Sequence, residues 1–118
     1  MKRLGDVYES RATNHLMRQG CEILARNYRC KLGEIDIIVR ERGVLAFVEV
    51  RARKHSRYGS PADSVTWRKQ QKIRRCAQHF LLSNVQHTNM PCRFDLVTFE
   101  PPQSGAPATP TWIRAAFD

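Results

Sequence analysis

Two apolar stretches interrupted by acids constrain this chain more than any other feature. Gly33-Glu34-Ile35-Asp36-Ile37-Ile38-Val39 and Val44-Leu45-Ala46-Phe47-Val48-Glu49-Val50-Arg51 read as β-strands, joined by a tight polar turn, Arg40-Glu41-Arg42-Gly43. Asp36 sits among isoleucines, and Glu49 sits between Val48 and Val50. An ionised carboxylate is costly to bury unless it is paired or binds a metal. Side chains alternate along a strand, so Glu34 and Asp36 share one face of the first strand. Leu45, Phe47, Glu49 and Arg51 share one face of the second. If Arg40 and Gly43 flank a two-residue turn, Asp36 and Glu49 are diagonal neighbours, roughly 7 Å apart at Cβ. A four-residue loop puts them directly opposite. Both registers gather Asp36, Glu49 and Arg51, whereas a one-residue slip separates them. Two nearby carboxylates with oxygen ligands suit a hard cation such as Mg²⁺ or Mn²⁺.

The chain has 118 residues, which predicts a single domain spanning 1–118. Twenty Lys and Arg against eleven Asp and Glu give a net charge of +9. Such a surplus favours a polyanionic partner, nucleic acid first, over a membrane surface or an acidic protein. No apolar run has membrane-spanning length, and Met1-Lys2-Arg3 is not followed by a signal-peptide core, so a cytoplasmic protein is expected. Cys21, Cys30, Cys76 and Cys92 form no CxxC pair and read as free thiols, mostly buried. A zinc set of Cys76, His79, His87 and Cys92 can be drawn, but its spacing matches no familiar finger.

A helix is predicted from about Asp6 to Gln19, with Leu4, Tyr8, Ala12 and Leu16 as its apolar stripe and Gly20 ending it. Glu9 borders that stripe. It is either an edge carboxylate paired with a base such as Arg11, or a third acid aimed at the sheet. Residues 21–28 read as a first strand. After the Glu49 strand comes a basic loop with Arg53, Lys54, Arg57 and Tyr58, where a phosphate-facing role competes with simple solvation. Ser60-Pro61-Ala62-Asp63 reads as the start of a helix running to about Leu82. Of its many bases, Lys69 and Lys72 are the first candidates for nucleic-acid contact. Residues 93–99 alternate as a fourth strand. A proline-rich segment, 101–110, precedes a tail, Thr111 to Phe117, that reads as a short strand or helix docked through Trp112, Ile113 and Phe117.

The order is helix, three strands, helix, strand. An Asp in the second strand, twelve residues, then Glu-x-basic resembles the PD-(D/E)xK nuclease superfamily. The longer pattern is more specific. Gly5-x3-Glu9-x2-Ala12, Asn27-x-Arg29, Gly33-Glu34-Ile35-Asp36, Phe47-Val48-Glu49-Val50-Arg51-x-Arg53, Gly59-x-Pro61, Lys69-Gln70-x-Lys72 and Arg93-Phe94-Asp95 resemble the YraN family of small bacterial proteins. That family is predicted to be nuclease-related. The resemblance implies an α/β fold with a restriction-endonuclease-like αβββαβ core, its mixed central sheet flanked by helices.

It also implies metal-assisted phosphodiester hydrolysis, on branched or damaged DNA in repair or recombination. Asp36 and Glu49 would hold Mg²⁺ or Mn²⁺ with Glu9 and the carbonyl of Val50. Glu9 resembles a metal-site glutamate of archaeal Holliday-junction resolvases, and resolvase-like enzymes of this fold often pair, which makes a homodimer the matching expectation. Arg51 stands where the motif usually carries lysine, and arginine does not act as a base. A metal-bound water then needs no separate base, or Lys54 or Lys72 reaches the site, or catalysis is lost. The last case is the alternative function, a non-catalytic nucleic-acid-binding accessory protein that keeps the fold. A third reading pairs Asp36 and Glu49 with Arg51 and Arg53 for structure alone. Glu34 is either a further acid of the site or a partner for Arg51 or Arg53.

Overall fold

A computed structural model describes residues 4–52, 61–100 and 109–118. Helix α1 spans Leu4–Arg18, and strands β1, β2 and β3 span Glu22–Cys30, Gly33–Glu41 and Val44–Ala52. A 3-10 turn at Pro61–Ser64 precedes helix α2, Trp67–Ser83, and strands β4 and β5 span Cys92–Phe99 and Pro110–Phe117. The five strands form one sheet in the order β1-β2-β3-β4-β5. Only the β3–β4 pairing is parallel, the α2 segment supplying the crossover. The sheet is mixed and flanked by two helices, compatible with the restriction-endonuclease-like arrangement expected.

The central strands are apolar because both of their faces are covered. On one face Ile37, Val39, Ala46, Val48, Val97 and Phe99 pack with Ala12 and Leu16 of α1. On the other, Ile35, Ile38, Leu45, Phe47 and Leu96 pack with Ile73, Cys76, Ala77 and Phe80 of α2. Full burial of each large aliphatic or aromatic side chain contributes about 1.5–3 kcal/mol, so these three strands anchor the domain. The expected stripe on α1 is present, with Ala12 and Leu16 fully buried. Gly20 follows α1 at φ +95°, a left-handed position that suits glycine.

The hairpin turn is one residue later than the first register assumed. Glu41 pairs with Val44 around a two-residue turn, Arg42-Gly43, with φ of 49° and 80°. Two positive φ values mark the hairpin turn whose twist matches its strands. The paired register ends at Ile37 with Val48, one residue short of Asp36 and Glu49.

Two boundaries differ from expectation. β1 begins and ends later than 21–28. Pro61–Ser64 forms only a 3-10 turn, and Thr66 caps α2 instead, its hydroxyl accepting from the Lys69 amide. Of the two openings for the tail, strand or helix, the structure takes the strand, Pro110–Phe117, and most of the proline-rich segment lies outside the described residues. No helix among the described residues is long and apolar enough to cross a membrane.

Candidate metal and phosphate site

The acids meet where β2 begins and β3 ends. Strict alternation fails once in β2: Ile35 and Ile38 face α2, whereas Ile37 faces α1. The break falls at Asp36. Its Oδ2 accepts a hydrogen bond from the Val50 amide at 2.8 Å, in place of a ladder partner. Asp36 therefore lines a cleft of about 250 Å³ on the α1 side, with Gly5, Tyr8, Glu9, Val50 and Ala52. Glu49 continues the Phe47 face and reaches α2, its Oε2 lying 3.5 Å from Lys69 Nζ and 3.8 Å from Arg51. The expected single shared face is thus corrected to an edge-on meeting, in which Asp36 still lies close enough to act on Glu49.

The electrostatics are those of buried, crowded acids whose basic neighbours only partly offset that burial. Burial, and then Asp36, push Glu49 up to about 9, although Lys69 and Arg51 pull the other way. Burial, followed by the charges of Asp36, Glu34 and Asp6, raises Glu9 to about 7. Glu9 Oε1 and Glu49 Oε2 are buried and have no hydrogen-bond partner. Such orphaned acceptors are costly unless something else meets them. Of the two openings for Glu9, the structure takes the second: it faces the sheet, and the base that draws on it is Arg26.

The other expected residues divide. Arg51 lies at the site, its Nε buried and without a partner. Glu34 pairs with Arg29 at 3.0 Å, not with Arg51, yet its charge still acts on Glu9. Lys69, expected on the nucleic-acid surface, faces Glu49. Lys72 crosses the start of β2 instead, where a Cβ on Gly33 would stand 3.3 Å from its own. Arg53, Lys54 and Arg57 lie outside the described residues. Cys76 contacts Cys30, and His79 contacts Tyr28. Among the described residues no three His, Cys, Asp or Glu side chains form a ready-made metal cage.

Sequence reasoning gave no role to two further buried acids. Glu41 accepts from Arg93 at 2.7 Å and from two nitrogens of Arg114 at 2.7 and 3.0 Å. Asp95, fully buried, accepts from Arg93 Nε, Trp112 Nε1 and the Ala115 amide. The rule that singled out Asp36 also finds Asp95, an acid between Phe94 and Leu96.

The sequence matches the model of a family described as uncharacterised protein family UPF0102 over residues 8–99. A UPF0102 protein of Saccharophagus degradans is 50% identical over 113 residues, covering 96% of this chain and 91% of that one. One from Lachnoclostridium phytofermentans is 51% identical over 93 residues, 79% of each chain. Another, from Methylobacillus flagellatus, is 40% identical over 117 residues, covering 99% of this chain and 98% of the relative. The acid cluster from Glu9 to Glu49 falls inside the matched region, and the chain belongs to the UPF0102 family.

Proposed function

We propose that this protein is a divalent-cation-dependent nuclease that hydrolyses DNA phosphodiester bonds, on branched or damaged DNA in repair or recombination. One observation carries the reading. In a chain of net charge +9, three carboxyl groups lie near one another with raised pKa values for two of them, and two of their buried oxygens lack hydrogen-bond partners. A cation answers both. Mg²⁺ commonly takes one or two carboxylates and keeps waters or phosphate oxygens for the rest, so it needs no full protein cage. Asp36 and Glu49 would hold it, with Glu9 and the carbonyl of Val50 at the rim. When bound, Mg²⁺ or Mn²⁺ supplies polarisation of the phosphate and a water of lowered pKa.

The chain's own residues have separate tasks. The Val50 amide holds Asp36 Oδ2 and so restrains the carboxylate. Arg51 offers a guanidinium to a phosphate oxygen but no base. Lys69, approaching Glu49 from α2, is the described lysine closest to the role that the motif lysine plays elsewhere. Its ammonium can hold the attacking water or offset charge on the phosphate.

The test is cleavage of labelled single-stranded, duplex, flapped and four-way DNA in Mg²⁺, Mn²⁺ or EDTA, beside Asp36→Ala. Divalent-dependent cutting that is lost in the variant is expected. Binding that survives EDTA and Asp36→Ala, without cutting of any substrate, would replace this reading by the accessory binder.

A further inference from the structure

A second chemically active pair lies away from the acids, on the seam between β1 and α2. Cys30 and Cys76 are 46 residues apart in sequence, and their sulfurs share a hydrogen bond at 2.7 Å. Both are free thiols. Their settings are unlike. Cys76 is fully buried among Ile73, Ala77 and Phe80, and Cys30 is partly open to solvent. The Leu32 amide donates to Cys30 Sγ at 3.4 Å. Burial works against the Cys30 thiolate, but the bonds from Cys76 and the amides of Leu32 and Gly33 outweigh it and lower its pKa. Burial first, then the bond to Cys30, pushes Cys76 up to about 12. Cys21 is buried, which raises its pKa, Cys92 is exposed, and neither has a cysteine partner among the described residues. An open, activated thiol beside a buried second one is the arrangement of an attacking and a resolving cysteine.

We propose that Cys30 and Cys76 are an oxidative modification site, closing to an intramolecular disulfide with hydrogen peroxide as oxidant. The Cys30 thiolate attacks one peroxide oxygen, the O–O bond breaks, and hydroxide leaves to take up the proton that Cys30 gave up. Cys76 sulfur then attacks the sulfenic sulfur, and the S–O bond breaks as the S–S bond forms. The departing hydroxide takes the Cys76 proton. Two thiols lose two electrons and peroxide becomes two waters. The bridge ties β1 to the helix that presents Lys69 to Glu49, and a thiol reductant reopens it.

The full chain, reduced and freed of reductant, is treated with a small excess of peroxide. The expected product is a monomer lighter by two hydrogens, with the Cys30 and Cys76 peptides joined and the mass restored by dithiothreitol. Cys21→Ser/Cys92→Ser should close the same bond. Cys76→Ala should instead collect a sulfenic acid at Cys30, trapped by dimedone. Wild-type protein that gains oxygen at Cys30 without losing the two hydrogens would overturn the proposal. So would a bridge through Cys92 between chains, or iodoacetamide labelling of Cys92 faster than Cys30 at neutral pH. None of these readouts depends on cleavage of DNA.

Discussion

Replacing Glu41 by Gln tests whether the far end of the hairpin is held by charge rather than by shape. Glu41 is 8% exposed and takes three hydrogen bonds from Arg93 and Arg114. The bonds from Arg114, opposed by burial and reinforced by Arg93, hold its carboxyl down at about 2, from an ordinary 4.5. At about 1.4 kcal/mol per pKa unit that shift corresponds to roughly 3 kcal/mol of stability at neutral pH. Arg114 is half exposed, so water screens part of it. A loss of about 2 kcal/mol is expected for Glu41→Gln, since glutamine keeps the volume and leaves two guanidiniums facing a neutral amide. With a urea dependence of about 1–3 kcal/mol per molar, the unfolding midpoint should fall by roughly 1 M. The sign with pH is fixed by the depressed pKa. Between 4.5 and 2 the unfolded chain binds the proton more readily, so the stabilisation is complete above 4.5 and lost as pH falls toward 2. The gap between wild type and variant should therefore close over that window. Equal urea midpoints at pH 7, or a gap that persists at pH 2, would refute the reasoning.

The same substitution at Glu49 should act in the opposite direction. Because burial and Asp36 raise Glu49 to about 9, folding takes up a proton between pH 4.5 and 9, and stability contributed there falls as pH rises. Glu49→Gln in EDTA should thus unfold at the same or a higher temperature than wild type, with the gain growing from pH 5 to 8. A marked drop at pH 8 would show that the carboxylate is compensated after all. Mg²⁺ should raise the melting temperature of wild type but not of Asp36→Ala, read by differential scanning calorimetry. Lys69→Ala should lower cleavage at least about tenfold and leave DNA affinity within about threefold, since it removes one charge at the reacting phosphate. A purely affinity-based loss would return Lys69 to the binding surface. Gly43→Ala has open space around it but φ of +80°, so chemical denaturation should show a cost of about 1 kcal/mol without loss of activity.

The hairpin was legible because two signals agree: apolar runs of strand length and a glycine able to take a positive φ. Its acids were legible because they break those runs. The alternation break at Asp36 was not, since it follows from a side chain taking the Val50 amide, a choice made only when both strands are in place. The start of α2 misled because Ser60-Pro61-Ala62-Asp63 satisfies the capping pattern, while Thr66, followed by Lys69 and no acid, is a weaker signal that nevertheless caps the helix. Lys69 itself carried a readable clue. It stands one turn before Ile73 on the stripe that continues through Ala77 and Phe80, a base on a buried face. The tail could be read as strand or helix because its geometry is irregular: Ala115 takes φ 51°, and its amide is satisfied by Asp95, not by a regular ladder.

The two ends of the β2–β3 hairpin make the argument for function together. Both bury a glutamate in the same pair of strands. At the turn end, Glu41 is met by two arginines and its pKa falls; at the open end, Glu49 and Glu9 are left with orphaned oxygens and their pKa values rise. A shortage of basic residues cannot be the reason, because the chain carries nine more bases than acids. Nor is the fold unable to neutralise a buried acid, as Asp95 with its four donated bonds demonstrates. At the open end Lys69 and Arg51 come only to 3.5 and 3.8 Å of Glu49 and neither hydrogen-bonds its Oε2, while Glu9 and Asp36 line a cleft of about 250 Å³ on the α1 side. Carboxyl groups kept protonated by burial and by one another are the groups that a bound cation would ionise, which is the physical basis of the proposed cation dependence.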